Sequence, residues 1–463
     1  MKDFKNSSFT ILGAGRSGIA VAGLLKKTGG KVFLSDGTER SKLKFFDEDF
    51  LKKNDIEFEL GGHTEKVFEN AVIIKSPGIS PDSEIILKAE SLNKKIYSEI
   101  EAAYWFCECP IIAITGTNGK TTTTVLTGEI FKTAGFDTKV CGNVGLAFSE
   151  VIDELKKDSV VILEVSSFQL SNIDKFKPRV SVLMNITPDH IDWHKSFENY
   201  LKAKLEILKN QTEEDLTIIN YDDETLRGSV EKVKPKKAFF SIKENLFEKK
   251  IEAGSFLDNG KIIYFDKAKN IEEEIMEARE INIRGNHNLY NSLAAIISAR
   301  AFDIKTELIK ETLMKFPGVE HRIEFVKEVQ GISFYNDSKA TNMDSLIVAL
   351  ESFDKNIILI LGGREKGNDY SRVDMLINEK VKTIIAIGET KEKIYEYFNF
   401  NFNFNKDKKV IKANSLEEAV DKAFESGIKG DVVLLSPACK SFDMFDSFEH
   451  RGKEFKRLVN ILK

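Results

Sequence analysis

The sequence has no apolar run approaching the ~20 residues needed to span a membrane. Cysteine is scarce: only Cys107, Cys109, Cys141 and Cys439 occur. The close pair is C-x-C, not the C-x-x-C of common metal sites, and no histidine cluster lies nearby to complete one. Free thiols in a reducing cytosol are expected rather than a disulfide framework. A basic excess is also missing. Net charge is −5, with Lys and Arg spread along the chain, which argues against a nucleic-acid partner and leaves small anionic ligands open. The first residues, Met-Lys-Asp-Phe-Lys, lead directly into a strand-like segment without the apolar region of a secretory leader. A cytoplasmic protein with no membrane insertion is expected. What is present suits a globular chain, with 42% apolar and 30% charged residues. A length of 463 residues predicts roughly three domains.

The stretch richest in chemistry is Pro110-Ile-Ile-Ala-Ile-Thr115-Gly116-Thr117-Asn118-Gly119-Lys120-Thr121-Thr122. An apolar strand runs into a glycine turn, then Gly-Lys-Thr, then a helix predicted over residues 120–134. Glycines let backbone N–H groups close around phosphate oxygens, and the helix N-terminus adds partial positive charge. Lys120 is placed to reach terminal phosphates, and the Thr121 hydroxyl to hold magnesium. The pattern departs from G-x-x-x-x-G-K-[ST], because Ile114 stands where the first glycine would fall. The alternative is an ordinary strand-turn-helix with a surface lysine.

Upstream, residues 9–12 read as a strand. Gly13-Ala-Gly15-Arg-Ser-Gly18 matches G-x-G-x-x-G and opens a helix. A second strand ends at Asp36, placed to meet a ribose hydroxyl. A lone G-x-G-x-x-G is weak evidence, and a nicotinamide cofactor is one candidate among several phosphate-bearing ligands. Residues 71–75 form another strand, followed by Ser76-Pro77-Gly78, a rigid loop at a strand end, where α/β sheets bind ligands.

In the middle segment, a buried-type strand over residues 159–163 delivers Glu164-Val-Ser166-Ser-Phe-Gln169. A carboxylate there can hold magnesium or simply cap a helix. Residues 179–186 form a strand that ends before Pro188-Asp189-His190. Asp189 and His190 are candidate metal or phosphate ligands, whereas His194 reads as a surface histidine. Residues 197–210 read as a helix with Leu201, Leu205 and Leu208 on one face. Periodicity leaves Lys204 as a solvated or snorkelling side chain like its neighbours Lys202 and Lys209. Residues 216–270 alternate like a small antiparallel appendage, with a hairpin at Asp258-Asn259-Gly260. Asn286, Asn288 and Asn291 flank a helix start, where amides usually cap. In the last segment, a hairpin leads into Asn336-Asp337-Ser338-Lys339-Ala340-Thr341-Asn342, and βα units follow. Residues 398–405, alternating Phe and Asn, read as a loop without chemistry.

Together these motifs resemble the Mur ligase family of peptidoglycan synthesis over nearly the whole chain. The resemblance is carried most strongly by residues 115–121, 164–169, 189–190, 285–291, 321–322, 336–342 and 434–443. It implies an α/β protein of three domains. Residues 1–109 would be a Rossmann-like domain binding the UDP substrate, residues 110–316 a P-loop-type domain binding ATP and Mg²⁺, and residues 317–463 a Rossmann-like domain binding D-glutamate. The implied reaction joins D-glutamate to UDP-N-acetylmuramoyl-L-alanine with ATP, through an acyl phosphate, and the implied state is a monomer.

Carried over residue by residue, Gly116, Thr117, Asn118, Gly119, Lys120, Thr121 and Thr122 hold the ATP phosphates, with Asn143 beside the reacting phosphate. Asn288 and Asn291 meet adenine, Arg322 the phosphates and Asp337 the ribose. Thr121 and Glu164 match one magnesium site, and His190 and Lys204 a second. Lys204 would there be carbamylated to N6-carboxylysine. Ser17, Asp36, Thr38, Ser76, Pro77, Gly78, Asn143, Ser166 and Gln169 match the UDP-substrate site. Thr341, Lys366, Ser441 and Phe448 match the D-glutamate site. Arg364 departs from the acidic residue that some relatives carry. The resemblance makes Lys120, Glu164, His190 and Lys204 the catalytic set. A Rossmann oxidoreductase would explain only residues 9–36, and an ATP-driven switch would need no acceptor site. Another Mur-type or folylpolyglutamate-type ligase would carry a different sequence over residues 337–342.

Overall fold

Apolar runs that end in glycine turns become the strands of three α/β sheets in the structure, a computed structural model. It describes residues 4–5, 7–365, 367–400 and 408–463. Lys366 and residues 401–405 of the expected Phe/Asn loop therefore lie outside the described residues. The chain divides into two compact units, Met1–Glu280 with Tyr290–Met314, and Ile281–Leu289 with Lys315–Lys463.

The first unit holds two sheets. The first comprises β1 (Ser8–Leu12), β2 (Lys31–Asp36), β3 (Glu57–Leu60), β4 (Val72–Lys75) and β5 (Lys95–Ser98). They run parallel in the order β3-β2-β1-β4-β5. Strand order reverses direction between β1 and β4, the switch point at which such sheets bind ligands. The glycine fingerprint follows β1. Gly13 has φ +100°, and a Cβ there would lie 2.5 Å from Ser76 Oγ. A Cβ on Gly18 would lie 1.9 Å from Gly13 O, so this spacing is needed for helix Arg16–Lys27 to pack on its own loop.

The second sheet comprises β6 (Ile111–Thr115), β7 (Thr138–Gly142), β8 (Val160–Glu164), β9 (Val180–Leu183), β10 (Leu216–Asn220), β11 (Lys236–Ser241), β12 (Ala253–Asp258), β13 (Lys261–Asp266) and β14 (Ile271–Glu277). Its order is β14-β13-β12-β11-β10-β9-β6-β8-β7. β6, β8 and β9 are buried along their whole length, as expected for parallel strands covered on both faces. The expected antiparallel appendage is half corrected. β10 and β11 run parallel and extend the main sheet from β9, and β11 pairs parallel with β12. Helix Glu224–Ser229 provides the crossover that parallel pairing requires. Only β12, β13 and β14 are antiparallel. The hairpin at Asn259-Gly260 forms as expected, with both residues at positive φ.

The second unit carries the third sheet, made of β15 (Glu324–Val329), β16 (Ile332–Asn336), β17 (Ile357–Gly362), β18 (Val381–Ile387), β19 (Lys409–Lys412) and β20 (Val432–Leu435). Its order is β15-β16-β20-β17-β18-β19, with only the β15–β16 hairpin antiparallel. Phe398 does not belong to a loop. It lies in helix Lys391–Phe400 and is fully buried in the core beside β17 and β18. Among the described residues no helix is long and apolar enough to cross a membrane.

Candidate active site

The P-loop is built by β6 and the helix Lys120–Thr133. Gly119 sits at φ +83°, and a Cβ there would lie 2.5 Å from Asn291 Oδ1. Glycine thus permits both the turn and the approach of Asn291, whose Oδ1 accepts from Thr123 Oγ1 at 3.1 Å. The N–H groups of Thr117 and Asn118 donate to Asn185 O and Oδ1, at 2.9 and 2.8 Å. Lys120 Nζ donates to Gly116 O at 2.8 Å and Thr117 O at 2.9 Å. Thr121 and Thr122 are buried at the helix start.

Glu164 ends β8. Its Oε1 accepts from Asn143 Nδ2 at 2.8 Å. Its Oε2 is buried and has no hydrogen-bond partner among the described residues. A buried carboxylate oxygen left without a partner is costly unless a cation meets it. Together with the Thr121 hydroxyl at the P-loop helix start, this donor set fits magnesium.

Lys204 is where periodicity misled. On helix Phe197–Leu205 it is only 2% exposed. Its Nζ donates to Gly116 O at 2.7 Å and lies 4.7 Å from the Tyr200 ring centroid. Burial drives its proton affinity well below the usual lysine range. Lys120 adds to the depression, while Asp189 and Glu164 oppose it. His190 has its Nε2 3.4 Å from Asp189 Oδ2. Burial lowers its pKa, as do Lys120 and Lys204, against the pull of Asp189. The fold therefore gathers Lys120, Glu164, Asp189, His190 and Lys204 into one electrostatically linked group at the strand ends.

His194 is not a surface residue. It is buried, its Nε2 is 2.9 Å from Ser167 Oγ, and its ring stacks on Phe168 at 5.5 Å and 3°. Phe168 also meets the His190 ring edge-on at 4.9 Å. No local pattern would have picked out Phe168.

At the first sheet, the Asp36 carboxylate shapes the loops. Its Oδ2 accepts from Ala14 N at 2.6 Å and its Oδ1 from Thr38 N at 2.8 Å. Any ribose contact must share these oxygens. Ser76 Oγ is buried, has no hydrogen-bond partner among the described residues, and faces Gly13 and Gly18. Ser17, Thr38, Ser76 and Pro77 are half-buried and Gly78 is exposed around the same strand ends. Ser166 and Gln169 form a capping box on the turn Ser167–Leu170, with Ser166 N donating to Gln169 Oε1 at 3.0 Å.

The second unit groups its own residues. Asp337 follows β16 and is buried. Its Oδ2 accepts from Ser436 Oγ at 2.8 Å and its Oδ1 from Ile323 N at 3.3 Å. Burial pushes its pKa up to about 7, although Ser436, Arg322 and Arg451 pull it down. Arg322 Nε is buried without a hydrogen-bond partner among the described residues. Asn288 Nδ2 donates to Arg284 O at 2.8 Å. Thr341 and Phe448 are half-buried and Ser441 is buried.

What joins these motifs is a residue the sequence did not flag. Arg451, 1% exposed on helix Phe448–Ile461, donates to Ser338 Oγ and Ser338 O at 2.9 and 2.8 Å and to Cys439 O at 3.2 Å. Ser338 Oγ in turn donates to Phe448 O at 2.8 Å. Arg364 is exposed, with its Nε 3.7 Å from Glu389 Oε2. A separate group of possible metal donors, Glu320, His321 and Glu324, is already bridged by Lys456, which lies 3.0 Å from Glu320 and 2.5 Å from Glu324.

Family profiles match this arrangement segment by segment. Residues 8–85 match the MurD N-terminal domain, residues 114–299 the Mur ligase middle domain, and residues 321–439 the Mur ligase glutamate ligase domain. The chain belongs to the Mur ligase family. It is 42% identical over 472 residues to UDP-N-acetylmuramoylalanine--D-glutamate ligase of Salinibacter ruber, covering 99% of each chain. It is 41% identical over 464 residues to the enzyme of that name from Clostridioides difficile, covering 100% of each. Among solved structures, MurC of Thermotoga maritima aligns with a TM-score of 0.59 at 19% identity, covering 98% of this chain and 99% of that one. The MurF ligase of the same organism, solved with ADP, aligns at 0.59 and 16% identity, covering 99% of each. At such identities the likeness shows the Mur ligase fold alone.

Proposed function

We propose that this chain is an ATP-dependent amide ligase that adds D-glutamate to UDP-N-acetylmuramoyl-L-alanine in peptidoglycan precursor synthesis. The observation that carries the reading is full-length identity above 40% to D-glutamate ligases, with residues 336–342 standing at the end of β16. In this reading residues 1–109 take the UDP substrate, residues 110–316 ATP and Mg²⁺, and residues 317–463 D-glutamate, in a cytoplasmic monomer.

A carboxylate is a poor acyl donor because oxide would have to leave. A substrate carboxylate oxygen attacks the γ-phosphorus of ATP, ADP departs, and an acyl phosphate forms. The amine of D-glutamate attacks the acyl carbon, loses a proton, and phosphate leaves with the bonding pair. Positioning and charge neutralisation supply most of the catalysis in such a transfer. Lys120 and the helix N-terminus neutralise the phosphate oxygens, and Asn143 stands beside the reacting group while orienting Glu164. Thr121 with Glu164, and His190 with Lys204, would hold magnesium, which would supply neutralisation of phosphate charge. Asn288 and Asn291 take adenine, Asp337 the ribose and Arg322 phosphate. Ser17, Asp36, Thr38, residues 76–78, Ser166 and Gln169 position the UDP substrate. Thr341, Lys366, Ser441 and Phe448 surround D-glutamate.

Carbamylation of Lys204 belongs to the same reading. CO₂ adds to a neutral amine with loss of one proton to solvent, and the resulting carbamate carries the negative charge and hard oxygens a magnesium site requires. The burial and the Lys120 charge that depress Lys204 favour that neutral amine. A phosphate-release assay with ATP, UDP-N-acetylmuramoyl-L-alanine and a panel of amino acids tests the function. D-glutamate alone should support release. Equal release with L-glutamate, L-lysine or meso-diaminopimelate refutes the assignment.

A further inference from the structure

Lys75 is an oddity that the reaction does not use. It is the last residue of β4 and only 4% exposed. Buried lysines are rare unless a carboxylate pairs with them. Here burial lowers the pKa to about 8. Its Nζ donates to Ile79 O at 3.1 Å. The N–H of the same residue closes the turn, donating to Ser76 O at 3.2 Å. On its other side Nζ lies 5.9 Å from the ring centroid of Trp193, within cation–π range.

Trp193 belongs to the loop that carries His190, in the short helix Ile191–His194. Its ring lies 4.8 Å from Phe168. Phe168 meets the His190 ring at 4.9 Å and stacks on His194. An unbroken run of contacts therefore leads from the turn at residues 76–79, through Lys75, Trp193 and Phe168, to His190. A second tie joins the same two loops, with Lys195 Nζ 2.5 Å from Asp82 Oδ2. That pair is exposed, where ion pairs contribute little.

We propose that Lys75 is a positioning residue that couples the turn at residues 76–79 to the His190 loop through Trp193. Seating of a nucleotide-sugar against residues 76–78 is thereby felt where metal and acyl group meet. A side chain without a terminal donor could not do this, because the Lys75 amino group holds the Ile79 carbonyl and faces the indole at once. The inference rests on the proposed assignment of residues 76–78 to the UDP substrate.

The chain has two tryptophans, Trp105 and Trp193, so Trp105→Phe leaves Trp193 as the sole indole reporter. In Trp105→Phe protein, titration with UDP-N-acetylmuramoyl-L-alanine should change Trp193 fluorescence, with binding measured separately by calorimetry. Adding Lys75→Met, which keeps the apolar stem, should cut that signal at least about threefold while binding persists, and Lys75→Arg should restore most of it. In phosphate release, Lys75→Met should raise the Mg²⁺ concentration for half-saturation at least about threefold and leave the KM for D-glutamate unchanged. Trp193→Leu alone should shift the Mg²⁺ requirement likewise, which keeps the test open if Lys75→Met fails to fold. An unaltered Trp193 signal in Lys75→Met, or an unaltered Mg²⁺ requirement in Trp193→Leu, overturns the coupling alone. Absence of nucleotide-sugar binding by the Trp105→Phe parent removes the substrate assignment and the coupling with it.

Discussion

Replacing Asp337 with Asn probes a strongly perturbed ionisation in the second unit. The carboxyl is buried after β16 and its pKa is raised from 3.8 to about 7. Below pH 3.8 both folded and unfolded chains carry the proton. Between that value and about 7 only the folded chain holds it, so stability falls as pH rises through this window and is flat above it. A difference of about 3 pH units at ~1.4 kcal/mol each makes the full loss about 4 kcal/mol. Integrated from about pH 5 to about pH 8, the wild-type chain should lose roughly 3 kcal/mol relative to Asp337→Asn, which has no proton to release. At about pH 5 the folded chain carries the neutral acid, for which the amide is a near-isosteric stand-in, so near parity is expected there, with Asp337→Asn ahead by roughly 3 kcal/mol at about pH 8. Urea unfolding followed by far-UV circular dichroism is the assay, with hydrogen exchange along β16 to localise the effect. Tryptophan fluorescence would not serve, because Trp105 and Trp193 both lie in the first unit. Parallel pH profiles for the two proteins would refute the reasoning. A wild-type chain gaining on the variant with pH would mean that Arg322 and Arg451 outweigh burial and hold the carboxylate ionised.

Other substitutions separate the roles assigned here. Lys204→Ala should remove most phosphate release while UDP-substrate binding persists, and intact mass in bicarbonate should show wild-type protein gaining one CO₂. Full activity in Lys204→Arg refutes the carbamate, since a guanidinium does not take up CO₂ in this way. Glu164→Gln removes the charge but keeps the Asn143 contact, so the Mg²⁺ concentration for half-saturation should rise at least about tenfold with the melting temperature nearly unchanged. An unaltered Mg²⁺ requirement would refute a metal role for Glu164. Arg451→Lys keeps a cation but loses the fork that holds Ser338 and Cys439, and should cost about 2–3 kcal/mol in the second unit, read by hydrogen exchange. A loss under about 0.5 kcal/mol would show that Ser338 and Cys439 hold their places without it.

The α/β class, the P-loop, the strand-end loops and the hairpins at Asn259-Gly260 and before Ile332 were all legible in the amino-acid sequence. Each is set by short-range physics: glycine where φ is positive, apolar runs where both faces of a strand are covered, and a helix where Gly119 ends and Lys120 begins. Pairing partners are not local. Nothing within residues 216–241 says that β10 docks on β9, so the parallel extension of the second sheet emerged only in three dimensions. The short strands β3, β5 and β19 likewise gain their identity from neighbours rather than from their own pattern.

Side-chain environments divide in the same way. Leu201, Leu205 and Leu208 mark a face of one helix, but only the packing of that helix against Gly116 decides that Lys204 lies buried there. The burial of His194, the partnerless oxygen of Glu164, the Arg451 fork and the ammonium of Lys75 are likewise invisible to periodicity. Each depends on atoms far apart in the chain. Sequence by itself determined which residue types stand at the strand ends. Tertiary structure decided which of them are desolvated, because desolvation is a property of the surroundings and not of the residue.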